Sequence, residues 1–452
     1  MLILYGFWAE QKPYTQEREI MLDINFIKSN KTKVAGAIKS KGIELDLDEL
    51  LKIANERNEL ILKIDELRSK QNEFNKEIIK LEGADKETAI SEMKSVSDKL
   101  KSLEEKRTKT EDKFQELMYL VPNIPSADSP VGGEDDNRVI ETWGDEPKFD
   151  FKAKDHITLG KDLDLIDLER GVKVSGFRGY YLKNEAAILQ VALLFYAFKK
   201  MQEKGFTPMI PPTILKAFAL YGSGHFPFGK EDIYELANTG KDEKGEQLGE
   251  TLFLAGTSEP ALLAYRSDEI INEDELPLKY CGFSQCYRNE VGSYGKDTKG
   301  LYRIHEFMKV EQIVICEADE KVSEKHLQDM GGYVQEILQE LKLPYRVVQI
   351  ATGDMGAGKR KMYDIETYMP SRDGYGETHS DSDLTDWQTR RLNIKYKTKD
   401  GEKKLAYALN NTVIASPRIL IAILENFQNA DGSVTVPEVL RDLCGFEKIE
   451  KR

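Results

Sequence analysis

CGFSQCYRNEVGSYGKDTKGLYRIHEFMKVEQIVI, residues 281–315, sets two apolar-rich runs on either side of a middle crowded with Gly, Ser, Asp and Lys. The pattern predicts two antiparallel strands joined by a long hairpin loop. In a strand every second side chain lies on one face. Arg303, His305, Phe307, Lys309 and Glu311 are expected on one face of the second strand. Ile304, Met308, Val310 and Val314 take the other, with Glu306 and Gln312 as polar intruders. By the same rule Arg288 and Glu290 share a face of the first strand. At roughly 3.3 Å per residue, Arg303, Phe307 and Glu311 follow one another in steps of about 13 Å. A guanidinium, a flat ring and a carboxylate on one floor suit a ligand with phosphate at one end, a base in the middle and an ammonium nearby. A solvated hairpin whose polar face meets water fits the alternation equally well.

The particular residues separate the two. Tyr287-Arg288-Asn289-Glu290, Gly292-Ser293, Asp297-Thr298-Lys299-Gly300 and Arg303-x-His305-x-Phe307-x-Lys309-x-Glu311 closely resemble motif 2 of the class II aminoacyl-tRNA synthetases. Within that class they resemble the seryl-tRNA synthetase family. The resemblance implies an α+β fold: an antiparallel β-sheet flanked by helices, with an N-terminal antiparallel coiled-coil arm.

Upstream, apolar residues repeat at 3.5-residue spacing. Leu60, Ile64, Leu67, Gln71, Phe74, Ile78 and Leu81 form one series. Met93, Val96, Leu100, Leu103, Arg107, Thr110, Phe114 and Leu117 form a second, after Glu82-Gly83-Ala84-Asp85. Two such stretches around a short Gly-containing turn predict an antiparallel helical hairpin of roughly 35 residues per helix, about 50 Å long. It ends at Val121-Pro122-Asn123-Ile124-Pro125. Dimerisation or spacing is the commoner use of a coiled coil. The resemblance instead implies that the arm grips the long variable arm of tRNA(Ser), with Lys63, Arg68, Lys70, Lys76, Lys80, Lys94, Lys99, Lys101 and Lys106 as candidate phosphate contacts.

A chain of 452 residues has room for two or three domains. The expected division is an extension over 1–20, ahead of the family's usual beginning at Met21-Leu22-Asp23, the tRNA-binding arm over 21–121, a linker over 122–147 and the catalytic domain over 148–452. The net charge of −14 argues against indiscriminate nucleic-acid binding but leaves room for a local basic face. Cys281, Cys286, Cys316 and Cys444 form no CxxC pair, which disfavours a zinc site or a disulfide framework and suits reduced cytoplasmic thiols. No apolar run approaches the ~20 residues that span a bilayer, so no membrane partner is expected.

Downstream and between, further segments carry the resemblance. Ala187, Ile188, Val191, Leu194, Phe195, Phe198 and Met201 lie at helical spacing before Gly205 and Pro211-Pro212, and resemble motif 1, which implies a homodimer. A helix buried inside a monomer fits that periodicity equally well. Thr257-Ser258-Glu259 resembles the family's serine-recognition loop; if extended, it places Thr257 and Glu259 on one face, and Glu259 with Glu311 would surround a substrate ammonium. Glu377-Thr378-His379-Ser380 stands where the family binds the triphosphate and holds magnesium through a Glu and a Ser, here Glu377 and Ser380. His379, Asp381 and Asp383 depart from the expected E-[VI]-S-S-x-S-N pattern. Leu409 to Arg418 resembles motif 3, with Thr412 near the serine hydroxyl, Asn411 crowding the pocket slightly, Ser416 as a helix cap, Pro417 in the first turn, and Arg418 facing adenine opposite Phe307.

The implied activity is ATP-dependent formation of seryl-adenylate and transfer of serine to tRNA(Ser), with selenocysteine tRNA as a second candidate acceptor. Arg288 is expected at the α-phosphate and Arg303 at the outer phosphates, both catalytic. Asn289, Glu290, Phe307, Glu377, Thr378, His379, Ser380 and Arg418 complete the ATP site. Thr257, Ser258, Glu259, Arg288, Glu311 and Thr412 hold L-serine, and Mg2+ accompanies ATP. A synthetase-like RNA-binding paralogue and a coiled-coil scaffold are the competing classes, with threonine a lesser alternative as substrate.

Overall fold

The computed structural model describes residues 22–78, 81–241, 243–246, 249–291 and 299–452. The expected extension over 1–20, Lys80 of the arm, and residues 292–298 of the quoted hairpin lie outside the described residues. Contacts divide the described chain into two units after Pro122.

The first unit opens with two short helices that the sequence pattern did not announce, α1 (Ile24–Ser29) and α2 (Lys31–Ser40). The hairpin follows as α3 (Leu47–Glu77) and α4 (Gly83–Tyr119). Asp46 caps α3 by accepting from the amides of Asp48 at 2.9 Å and Glu49 at 3.0 Å, where carboxylates also suit the helix dipole. The turn is shorter than expected, since α4 starts at Gly83, whose φ of 59° only glycine adopts readily. Leu60, Ile64 and Thr110 are buried and the other seam residues half-buried, with exposed residues between them, so the 3.5-residue register is the one the helices use. Ion pairs fix the antiparallel sense, because the partner's number falls as the first rises: Glu49–Lys113 at 3.2 Å, Arg57–Glu111 at 2.5 Å and Arg68–Glu104 at 2.7 Å. Arg68, a candidate phosphate contact, is thus already paired.

The second unit is built on eight strands. They are β1 (Arg138–Trp143), β2 (Thr207–Met209), β3 (Leu278–Tyr287), β4 (Glu306–Cys316), β5 (Tyr345–Gln349), β6 (Lys361–Met369), β7 (Gly374–Thr385) and β8 (Tyr407–Ala415). Their order across the sheet is β1-β5-β6-β7-β8-β4-β3-β2, antiparallel throughout except for the β2–β3 pair. β1 corrects the linker expected over 122–147: its residues pair with β5 at the sheet edge. Asn123 is also tied in, its side-chain amide donating to the carbonyls of Gly358 and Leu384.

Strand alternation gives the sheet two chemically different faces. On the back, Val310, Val314, Leu409 and Ile365 pack in one core with Leu189 and Leu193 of α5 (Asn184–Glu203), Val334 and Ile337 of α6 (Glu320–Glu340), and Leu420 and Ile423 of α7 (Arg418–Asn426). Burial of so many aliphatic chains, each worth ~1.5–3 kcal/mol, holds these helices against the sheet. The front carries Glu311, Asn410, Thr412 and Ser380 on the alternate positions. Central strands rigid on one side therefore present polar groups on the other.

Candidate active site

The hairpin pairs Cys286 with Phe307 and Tyr287 with Glu306, and there it ends. Phe307, Lys309 and Glu311 share the front face as expected. Arg303 and His305 precede the strand and Arg288 and Glu290 follow its partner, so the long common floor read from the sequence is shorter than expected. Hydrogen bonds carry the pairing a little further without strand geometry: the Arg288 amide donates to the His305 carbonyl and His305 Nδ1 to the Arg288 carbonyl, both at 2.9 Å. Arg288 Nε donates to the Gly256 carbonyl at 3.1 Å, and its guanidinium lies 5.5 Å from the Phe307 ring centre. Glu290 has a left-handed backbone, φ 54°, and its carboxylate accepts from Arg303 Nη1 at 3.2 Å. Asn289 turns aside, its side chain donating to the Glu231 carbonyl at 3.2 Å.

At the other end of the face lie two carboxylates. Glu311 accepts from Lys309 Nζ at 2.5 Å and Thr412 Oγ1 at 3.3 Å, and all but a few per cent of its surface is covered. Glu259 accepts from Gln388 Nε2 at 2.6 Å and Asn410 Nδ2 at 2.8 Å. Loss of water pushes both carboxyls above their ordinary range; the Glu259 charge adds to the rise at Glu311, and Lys309 opposes it. Two acids that disfavour each other's ionisation make a seat for a cation. The Thr257–Glu259 segment is not extended, because Glu259 begins a short helix, Glu259–Ala264. Thr257 Oγ1 instead accepts from the Glu259 amide at 3.4 Å. Ser258 Oγ is buried against Gly282, where a Cβ would stand 2.8 Å from it, and has no hydrogen-bond partner among the described residues. Gln388, Asn410 and the Lys309–Glu311 pair were not assigned from the sequence, although alternation from Thr412 points to Asn410.

Glu377 and Ser380 are three apart, which on a regular strand sends them to opposite faces. A bulge resolves this: Ile365 pairs with His379 but Glu366 with Glu377, leaving Thr378 as the extra residue. Asp364 stands opposite Ser380 on β6. Ser380 Oγ and Asp364 Oδ1 are buried and meet no well-aligned hydrogen-bond partner among the described residues. Burial and the Glu377 charge raise the Asp364 carboxyl well above its usual range. At Glu377 loss of water acts upward, but the Arg418 and Arg288 guanidiniums outweigh it and hold the carboxyl low. Among the described residues no group of three or more His, Cys, Asp or Glu is placed to hold a metal by itself. Two carboxylates and a hydroxyl fit instead the sparse oxygen set of a magnesium ion that takes its remaining ligands from phosphate and water.

Thr378 and His379 depart from expectation. Thr378 Oγ1 is buried within 3.0 Å of the Ile365 carbonyl and 2.8 Å of His379 Nδ1. His379, opposite Ile365, faces the back of the sheet, where burial pushes its pKa down to about 3. Asp381 and Asp383 share that back face. Asn411, opposite Gln312, also lies there fully buried and does not crowd the cleft. Ser416 does not cap α7, since its hydroxyl bonds Gln190; the helix starts at Arg418 behind Pro417. Arg418 Nη1 donates to the Glu377 carbonyl at 2.8 Å and stands 3.3 Å from its carboxylate. The ring it meets is Tyr302, at 4.5 Å, whereas Phe307 is met by Arg288.

Comparison with known proteins is consistent with this geometry. The family model of the tRNA synthetase class II core domain (G, H, P, S and T) matches residues 241–427, and that of the seryl-tRNA synthetase N-terminal domain matches 21–125. The serine–tRNA ligase of Treponema denticola is 41% identical over 434 residues, 95% of this chain and 100% of that protein. The serine–tRNA ligase of Deinococcus radiodurans is 42% identical over 430 residues, 95% of this chain and 99% of that protein. The crystal structure of seryl-tRNA synthetase from Pyrococcus horikoshii complexed with ATP is similar with a TM-score of 0.83 at 36% identity, covering 96% of this chain and 100% of that one.

Proposed function

This chain belongs to the seryl-tRNA synthetase family, and from that premise we propose how its residues divide the work of a serine–tRNA ligase. Serine and ATP give seryl-adenylate and pyrophosphate, and serine then passes to the 3′ end of tRNA(Ser). The observation that carries the assignment is the hairpin face itself, with Arg288 and Phe307 at one end and the paired acids Glu311 and Glu259 at the other.

Glu259 and Glu311 hold the serine ammonium, with Thr257 and Thr412 offering hydroxyls beside it. Ammonium binding relieves the mutual repulsion of the two acids, and a neutral isostere leaves them unpaired. The serine carboxylate is already ionised, so its attack on the α-phosphorus needs no general base. A carboxylate O–P bond forms as the P–O bond to pyrophosphate breaks, and the catalytic task is in-line placement and charge neutralisation. Arg288 serves the α-phosphate and Arg303 the outer phosphates, released from Glu290 when the nucleotide enters. Glu290 then meets the adenine, which lies between Phe307 and Arg418. Glu377 and Ser380, with Asp364 at hand, would hold a magnesium ion, which would supply charge neutralisation on the triphosphate.

The arm grips the acceptor tRNA, and a second copy of the chain covers the outer face of α5. Ile188, Val191 and Phe195 are 47%, 56% and 48% exposed there beside Leu443, an apolar patch that a stable monomer seldom leaves open. No helix among the described residues is long and apolar enough to cross a membrane, and all four cysteines are free, which supports a cytoplasmic setting. ATP–pyrophosphate exchange across a panel of amino acids tests the assignment: serine drives exchange, while threonine and alanine do so at least about 100-fold less well. Equal exchange with alanine refutes the serine pocket as described.

A further inference from the structure

Tyr302 stands between two guanidinium groups. Its ring centre is 4.5 Å from Arg418 and 4.4 Å from Arg372, and only 9% of the residue is exposed. Its hydroxyl donates to the Glu377 carbonyl at 3.1 Å, the same oxygen that accepts from Arg418 Nη1 at 2.8 Å. Its own carbonyl accepts from Arg418 Nε at 3.3 Å. Arg418 is therefore held at Nε by the Tyr302 backbone, at Nη1 by Glu377, and by the Tyr302 ring. Room for that ring is left by Gly376, whose Cβ would stand 3.0 Å from the hydroxyl. Leu301, Met369 and Ile421 pack around it as an apolar seat.

A ring between cations screens them and limits their rotation, and a desolvated cation–π contact is stronger than an exposed one. An arginine side chain has many rotamers, so one that must present a flat guanidinium to a base gains from being fixed beforehand. Nothing else described on this side of the site reaches Arg418 with a flat surface. Arg372, from the exposed turn between β6 and β7, adds the second cation at the ring.

We infer that Tyr302 is a positioning residue of the nucleotide site, holding the Arg418 guanidinium in the plane that receives adenine, with Arg372 closing the stack. This rests on the reading that Arg418 meets the adenine.

Kinetics of ATP–pyrophosphate exchange on the full-length protein test it, with KM for ATP and for serine measured separately for Tyr302→Leu, Tyr302→Phe, Arg372→Gln and Arg418→Ala. Tyr302→Leu raises KM for ATP about tenfold and leaves that for serine within about twofold. Tyr302→Phe, which keeps the ring, stays within about threefold of the parent, and Arg372→Gln raises KM for ATP about threefold. In a Tyr302→Leu/Arg418→Ala double variant the two effects on ATP do not add, because the ring acts through the arginine. The inference is overturned if Arg418→Ala raises KM for ATP while Tyr302→Leu, or Arg372→Gln where Tyr302→Leu does not fold, leaves it unchanged, or if KM for serine rises as much as that for ATP. An Arg418→Ala protein with an unaltered KM for ATP refutes instead the reading on which the inference rests. Arg372 is exposed, so its variant folds and decides the matter even where Tyr302→Leu does not.

Discussion

Glu259 and Glu311 reach one cleft from a short helix and a central strand; burial raises the carboxyl of Glu311, Lys309 opposes the rise and the charge of Glu259 adds to it. Burial places both carboxyls above the ordinary range. An ammonium binds the ionised forms. Serine affinity is therefore highest where both acids are ionised and is lost as pH falls through their raised values, earlier than an exposed carboxylate would allow. Initial rates of pyrophosphate exchange at saturating ATP should show KM for serine climbing on the acid side while KM for ATP stays flat. Glu259→Gln should raise KM for serine on the order of 100-fold at pH 7.5, since it leaves a buried charge without its partner.

Arg288 crosses from the end of β3 to the Gly256 carbonyl and the Phe307 ring, so it is anchored on two sides before any substrate arrives. An arginine fixed in this way stabilises developing phosphate charge without reorganising. Arg288→Ala should lower the exchange rate at saturating substrates by on the order of 100-fold or more. Its thermal melting should shift little, because the guanidinium is only half-buried. Near-parental exchange in the folded variant would remove Arg288 from the chemistry.

The hairpin was legible because its alternation runs over two strands and its loop is dense in glycine and polar residues. The end of each strand was not, and Arg303 and His305 were consequently expected one element too deep. Thr378 shows a second limit. A bulge adds one residue and leaves no mark in composition, yet it decides whether Glu377 and Ser380 share a face. Asp364 and Ser380 are 16 positions apart and meet only through the register of β6 and β7. Tyr302 and Arg372 come together from different loops. β1 was hidden for another reason: Arg138–Trp143 is largely exposed, so RVIETW carries too weak a burial pattern to stand out from the acidic stretch before it.

Asp381 stands opposite Asn411 and under Gly331, on the buried face, at the position the family pattern leaves variable. Its Oδ1 has no hydrogen-bond partner among the described residues, and burial followed by the charge of Asp383 raises its carboxyl well above the ordinary range. A carboxyl raised in the folded state costs stability once pH exceeds its unfolded value, and the cost grows until the folded group ionises. Asp381→Asn should therefore raise the melting temperature at pH 8 by a few degrees, about 2–4 °C for each kcal/mol regained. The gap should close as pH falls toward about 4, the unfolded value, below which the parent is protonated in both states. A gap that persists unchanged at pH 4 points to packing in place of charge.

The outer face of α5 makes a prediction about assembly. Val191 is the most exposed of its apolar residues, and a carboxylate there would have to be desolvated in any interface between two copies. Val191→Asp should turn a dimer into a monomer in analytical ultracentrifugation at micromolar concentration, with the circular-dichroism spectrum unchanged. A parent that sediments as a monomer contradicts the second copy outright.

The arm separates binding of tRNA from activation of serine. Glu49 and Lys113 lie 3.2 Å apart where α3 begins and α4 nears its end, so the two ends of the hairpin are neighbours and a short linker can replace everything between them. Its charged residues pair across the helices, as Arg68 with Glu104, and such exposed pairs contribute only ~0.2–1 kcal/mol each. Arginines and lysines held so weakly can exchange a carboxylate for a phosphate at small cost. Removal of residues 45–120 should leave ATP–pyrophosphate exchange within about threefold of the parent, since every residue assigned to serine or ATP lies in the other unit. Charging of tRNA(Ser) should be lost. With the intact protein, KM for tRNA should rise with salt, in proportion to the number of phosphates contacted, while KM for serine barely moves. Undiminished charging by the truncated chain would show that the acceptor is held elsewhere.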